Sequence, residues 1–441
     1  MIEQHLLTDL GVRAAVAAIG RGETTSADLV EACLRRIAST DDELKAWVTV
    51  DADGARAAAR LRDDDVRAGR RLGPLHGVPL GIKDIVDVTG MPTTAGAGPF
   101  AHRHPRDDAP LVGRLRAAGA VIVGKTVPTP FAYRDPAPTR NPWSAARTPG
   151  GSSSGSAAAV AARQVPAAIG TQTVGSILRP AAFCGVVGLK GAHGSVPIDG
   201  VVTVAPSFDH VGPLARSVAD AALIESLLAG DALEIHAIDS PTLGLSPELL
   251  DGVEPGLRAH LDEVVKRLAD AGAEIEEVRL APSLRPFIDA GWLVLEVEAA
   301  AYHEPMFAEH RDEYPPEIGG LVESGLARST SEVLAAQRTL AEFRAAFGPI
   351  LDGLDALLSP VAPGPAPVRG SGTGDPGFCA PASFAGVPAI SIPTGIDSEG
   401  LPLALQLIAG PGRIQRLLDV AALCEALVAF GARPHLPVDG A

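Results

Sequence analysis

Segments with strand and helix periodicity alternate along all 441 residues, and this alternation predicts an α/β fold. No internal repeat interrupts it, and no Gly-, Pro- or Ser-rich stretch is long enough to act as a linker. Residues 1–441 are therefore expected to form a single large domain. With 46% hydrophobic and 20% charged residues, the chain can bury a sizeable core.

Taken in order, residues 1–70 are helical by pattern. Thr25 to Asp28 carry a capping signal, and Leu29, Cys33 and Ile37 mark an apolar face behind it. Residues 73–84, GPLHGVPLGIKD, read as a turn entering a buried strand that reaches Lys83, where a lysine seldom sits unpaired. Residues 111–118 form a short helix closed by Gly119, and 121–125 a buried strand. Strands follow at 165–169 and 186–190, and a helix at 217–228. Residues 255–271 are an amphipathic helix with Leu257, Leu261, Val264, Val265 and Leu268 on one face, Pro255 at its start and Gly272 after it. Residues 275–280 alternate as a strand. Residues 281–375 are less regular, with two helical stretches and a Pro/Gly-rich loop at 360–376. Strands at 389–393 and 403–408 and a helix at 417–430 close the chain.

Composition excludes some functions. A net charge of −16 and no Lys/Arg block argue against phosphate-backbone binding, so no nucleic-acid partner is expected. Cys33, Cys184, Cys379 and Cys424 lie far apart without metal-ligand spacing, which suggests buried free thiols and no metal. The N-terminal MIEQHLLTDLG lacks a signal-peptide pattern and no window approaches a membrane span. A cytoplasmic protein without membrane contact is expected.

The chemistry concentrates in residues 148–185, TPGGSSSGSAAAVAARQVPAAIGTQTVGSILRPAAFCG. Its Ala-rich segment, 156–162, is so poor in bulk that it suits only a closely packed, buried helix. Gly150 to Gly155 precede it, and the polar loop 170–176, GTQTVGS, follows a short apolar strand. Glycines let backbone N–H groups converge on one point, and serines beside such a nest suggest acyl chemistry. Gly151-Ser152-Ser153-Ser154-Gly155 also fits the G-x-S-x-G nucleophile elbow, which would make Ser153 the nucleophile. That elbow needs a strand directly before it, and residues 136–149 are rich in Pro, Arg and Asn. The elbow is therefore rejected.

The segments GPLHGVPLGIKD, GMPTTAG, AGAVIVGKT, TPGGSSSGSAAAVAA, GSILRPAAFCGVVGLK, FDHVGPLARSVADAA and GVPAISIPTG, in this order, resemble the amidase signature family. The resemblance implies an α/β/α sandwich around a mixed central sheet of about eleven strands. It also implies a Ser–cis-Ser–Lys triad: Lys83 matches the buried base, Ser152 the bridging serine behind a cis peptide bond, and Ser176 the nucleophile. Backbone N–H groups of Thr173, Val174, Gly175 and Ser176 would form the oxyanion hole. Residues 73–230 would be the catalytic core and 281–375 the variable pocket region. No cofactor is required, and a homodimer is a common family assembly.

Departures from the family pattern bear on substrate. The commonest family form is GTDTGGSIR-P, where this chain has GTQTVGSILRP. Gln172 and the shifted Arg179 resemble the malonamidase branch, in which the matching arginine grips a substrate carboxylate. Gln172, Ser153 and Arg179 are therefore candidate substrate-binding residues. Val174 replaces a glycine, and a β-branched residue there either adopts a glycine-like φ at a cost or reshapes the hole. The leading expectation is an amidase acting on a small or carboxylate-bearing amide. The alternative is a glutamine-dependent amidotransferase subunit of a tRNA-amidating complex.

Overall fold

The computed structural model of the chain describes residues 2–70, 72–280 and 284–436. A single mixed sheet of eleven strands organises it. In chain order these are β1 (Trp47–Val50), β2 (Pro79–Lys83), β3 (Val121–Thr126), β4 (Ala167–Gln172), β5 (Val187–Lys190), β6 (His210–Ala215), β7 (Thr242–Leu245), β8 (Glu274–Glu277), β9 (Ala356–Pro360), β10 (Ala389–Ile396) and β11 (Pro402–Ile408). Across the sheet the order is β1-β3-β2-β4-β6-β5-β10-β11-β9-β7-β8. Strands β3, β2 and β4 are parallel neighbours, as are β9, β7 and β8. The other pairings are antiparallel.

Strand periodicity explains why helices cover both faces. Along β3, Val121 and Val123 enter one core while Ile122 enters the other. Along β4, Ala168 joins the first core, and Ala167 and Ile169 the second. Strands buried on both sides read as continuous apolar runs, which is why they were legible. The mixed eleven-strand α/β architecture is as expected.

The Ala-rich helix, Ser154–Ala161, is buried along its whole length. A Cβ on Gly155 would lie 2.2 Å from the Ala46 carbonyl oxygen and 2.4 Å from Val127 N, so only glycine lets the helix approach so closely.

Several expectations differ from the structure. Residues 1–70 are not wholly helical, because β1 pairs antiparallel with β3 at the sheet edge. Four residues are too few to show alternation. The region 281–375 is more regular than expected: helices Leu284–His310, Pro316–Leu326 and Thr330–Asp352 precede β9. Residues 281–283 lie outside those described. Strand β4 extends to Gln172, so the polar loop after it is shorter than its Gly and Thr content suggests. Strand β6 (HVGPLA) is not anticipated from sequence, since Gly212 and Pro213 are poor strand formers, yet it pairs along β4 from Ala215 to His210.

Candidate active site

Parallel β2 and β4 bring Lys83 and Thr171 to the same end of the sheet, and the loop after β4 passes over them into the helix Leu178–Cys184. Pockets in α/β sheets gather at strand carboxyl ends for this reason. Lys83 is fully buried. Its Nζ lies 2.7 Å from Ser152 Oγ and 2.8 Å from Thr171 Oγ1, with the Thr171 carbonyl at 3.4 Å. Burial pushes its pKa well below the ordinary lysine range, and the charge of Asp209 opposes that drop. A neutral amine has a lone pair to accept the proton of a neighbouring hydroxyl. The Gly151–Ser152 peptide bond is cis.

Ser176 is partly exposed and lines a cavity of about 670 Å³, together with Thr173, Val174, Gly175 and Arg179. The two serine segments are tied directly, since Ser153 N donates to the Ser176 carbonyl at 3.2 Å. Among the described residues, none accepts a hydrogen bond from the backbone N–H groups of Thr173, Val174, Gly175 or Ser176. N–H groups without a protein partner beside a cavity are able to receive an anion. Val174 adopts an ordinary φ and buries its side chain, so the strain expected from replacing a glycine is absent.

Two candidate substrate contacts are corrected by the geometry. Gln172 is fully buried and does not line the cavity. Its Oε1 accepts from Ile177 N and Leu178 N, and its Nε2 donates to the Val174 carbonyl and to Ser383 Oγ. It braces the loop from behind. Ser153 Oγ donates to the Thr171 carbonyl and accepts from Thr171 N, also away from the cavity. Short polar side chains beside a nest of N–H groups look like ligands in sequence, but these two are spent on backbone.

Arg179 does line the cavity. Its Nη2 donates to the Gly151 carbonyl at 2.8 Å and to Thr373 Oγ1 at 3.0 Å, while its buried Nε and Nη1 have no protein partner. Burial lowers its pKa to about 10, which leaves it cationic at neutral pH. At the cavity mouth Arg134 stacks on Trp292, 4.6 Å from the ring centre, near Glu317 and Asp375. Thr171, Thr373, Arg134 and Trp292 escaped sequence reasoning. Only Thr171, inside GTQT, carried a usable signal. Among the described residues no group of His, Cys, Asp and Glu is arranged to hold a metal ion.

The family model described as Amidase matches residues 28–418. The chain belongs to the amidase family. A relative from Chloroflexus aggregans (strain MD-66 / DSM 9485), named as a subunit of glutamyl-tRNA(Gln) amidotransferase, is 35% identical over 95% of this chain and 96% of its own. A solved amidase structure superposes with a TM-score of 0.90 at 33% identity, covering 95% of this chain and 99% of the other. The native peptide amidase of Stenotrophomonas maltophilia superposes at 0.86 with 32% identity, covering 98% and 99%. This amidase-family member is an amide-cleaving enzyme. The expectation of no nucleic-acid partner is overturned, because relatives alike along nearly the whole chain are named for a charged tRNA. Net charge misled there: it speaks for the surface of one chain and not for an assembly. Among the described residues, no helix is long and apolar enough to cross a membrane.

Proposed function

We propose that the enzyme cleaves amides through an acyl ester on Ser176, with Ser152 and Lys83 as its proton relay. The observation that carries this reading is a fully buried lysine whose Nζ faces hydroxyls, one of them Ser152 at 2.7 Å. Ser176 Oγ attacks the carbonyl carbon; its proton passes to Ser152 Oγ as Ser152 gives its own to Lys83 Nζ. The N–H groups of Thr173 to Ser176 receive the oxyanion, each such donor contributing about 3–4 kcal/mol in comparable sites. Collapse breaks the C–N bond, and the proton returns from Lys83 through Ser152 to the leaving amine. Water then releases the acid by the same relay in reverse.

Arg179 supports an acyl part that carries a carboxylate, since its two unpartnered buried N–H positions call for an anion in the cavity. The malonamidase-like motif therefore rests on Arg179 alone, as Gln172 is spent on the loop. Glutamine is itself an amide bearing a carboxylate. The names of the relatives, at 35–38% identity, favour a glutamine-dependent amidotransferase subunit over a stand-alone hydrolase. On that reading the ammonia is passed to a glutamyl-tRNA in a complex with partner subunits. Ammonia release from L-glutamine, compared with a neutral amide of equal length, tests both levels. Preference for glutamine supports the carboxylate site, and stimulation by glutamyl-tRNA with partner subunits supports the amidotransferase. Equal rates on the two amides would contradict the role of Arg179.

A further inference from the structure

A buried carboxylate outside the relay joins three parts of the site. Asp209 stands immediately before β6, in FDHVGPLARS. Its Oδ1 accepts from Thr173 Oγ1 at 2.5 Å. Its Oδ2 accepts from Thr203 Oγ1, from Val204 N at 2.9 Å and from Ala205 N at 3.1 Å. Thr173 begins the loop whose N–H groups lack a protein partner, and Val204, between β5 and β6, lines the same cavity. One side chain, 36 residues along the chain from Thr173, therefore ties the candidate oxyanion loop to a cavity wall.

Building on the acyl-enzyme reading above, we infer that Asp209 is a positioning residue that holds the Thr173–Ser176 loop against the 203–205 wall. Two of its four donors are backbone N–H groups, which cannot reverse direction, and both fall on one oxygen. Oδ2 must accept in either protonation state, and the two hydroxyls can donate to the ionised carboxylate. Burial raises the Asp209 pKa, and the four donors work against that rise.

The charge has a separate consequence. The other acid near Lys83, its sequence neighbour Asp84, is engaged by Lys125 at 2.8 Å and by Thr94. The groups in contact with Lys83, Ser152 and Thr171, are uncharged hydroxyls. Burial lowers the Lys83 pKa, and the Asp209 charge opposes that drop.

The test uses the rate at which a fluorophosphonate labels the full-length protein across pH. Labelling forms a bond from Ser176 Oγ to phosphorus, expels fluoride and sends the serine proton to Lys83. It requires no knowledge of the natural amide. Thr173→Val removes one bond and leaves the charge, so labelling should slow about tenfold with its acid limb unmoved. Asp209→Asn removes the charge and part of the bonding, and labelling should slow roughly 100-fold. Losing a negative charge lowers the pKa of Lys83, so the acid limb should also move to lower pH. Circular dichroism checks the fold of both variants, and Thr173→Val keeps the test decisive if Asp209→Asn does not fold. Wild-type rates and an unmoved limb in the variants would overturn the inference. Slowing of both variants, Asp209→Asn the more, supports the positioning role. If the wild-type protein is not labelled on Ser176, the acyl-enzyme reading itself fails, which is a separate result.

Discussion

Lys83 and Lys125 are both fully buried and sit on adjacent parallel strands one step apart in register, since Lys83 pairs with Thr126 and Lys125 with Ile82. Their side chains therefore leave opposite faces of the sheet. Lys125 meets a carboxylate, Asp84, at 2.8 Å, with Thr93 Oγ1 and the Pro92 carbonyl each at 3.0 Å. Lys83 meets hydroxyls and a carbonyl. Burial lowers both pKa values, but Asp84 pulls Lys125 back while Lys83 falls well below the ordinary range. Burial alone does not make a base; the absence of an adjacent counter-charge does. The first lysine faces hydroxyls, as the proposed relay needs, and the second is held in an ion pair with Asp84.

The largest effect expected from breaking this contrast is on Lys83 and Ser152. Lys83→Ala should lower kcat about 10⁴-fold at neutral pH with little loss of thermal stability, as a general base at the upper end of its range would. Ser152→Ala should lose several orders of magnitude while the N–H nest persists. The wild-type pH profile sharpens the same point. With Lys83 as the proposed base, kcat/KM should fall as the pH drops through its depressed pKa, and should not climb toward an ordinary lysine value near 10.4.

Next in size is Arg179. Removing one partner of a desolvated ion pair costs on the order of 2–5 kcal/mol, so Arg179→Ala should lower kcat/KM on a carboxylate-bearing amide by roughly 30-fold to several thousand-fold. A neutral amide of equal size should lose little, and Lys should rescue only in part because it lacks the fork.

Lys125→Met probes the other lysine. Breaking a buried pair leaves Asp84 uncompensated and should destabilise the fold by about 3–5 kcal/mol in denaturant titration. The molecules that remain folded should turn over near the normal rate. Smallest of all, Val174→Gly should change kcat only a few-fold, because Val174 already has an ordinary φ.

The same contrast explains what the sequence could reveal. Lys83, Ser152, Ser176 and Arg179 stand in short ordered motifs, and the resemblance of those motifs to the amidase signature family nominates them. Local reading failed where function depends on which way a side chain turns. Gln172 and Ser153 share the motif and face backbone instead of the cavity. It failed again where partners are far apart in the chain, as with Arg179 and Thr373, 194 residues distant, or Thr173 and Asp209. The fold was legible where strands are buried on both faces. It was not legible in β1, which has four residues, or in β6, where Gly212 and Pro213 are poor strand formers. Nor could charge composition reveal an assembly.

The central claim is that Ser176, fed by a neutral lysine, becomes acylated. Fluorophosphonate labelling followed by peptide mapping tests it most directly. The adduct should lie on Ser176, within TQTVGSILR, and should be lost in Lys83→Ala at neutral pH. An adduct on Ser153, in the G-x-S-x-G sequence rejected as an elbow, would contradict the account, as would unaltered labelling of the Lys83 variant.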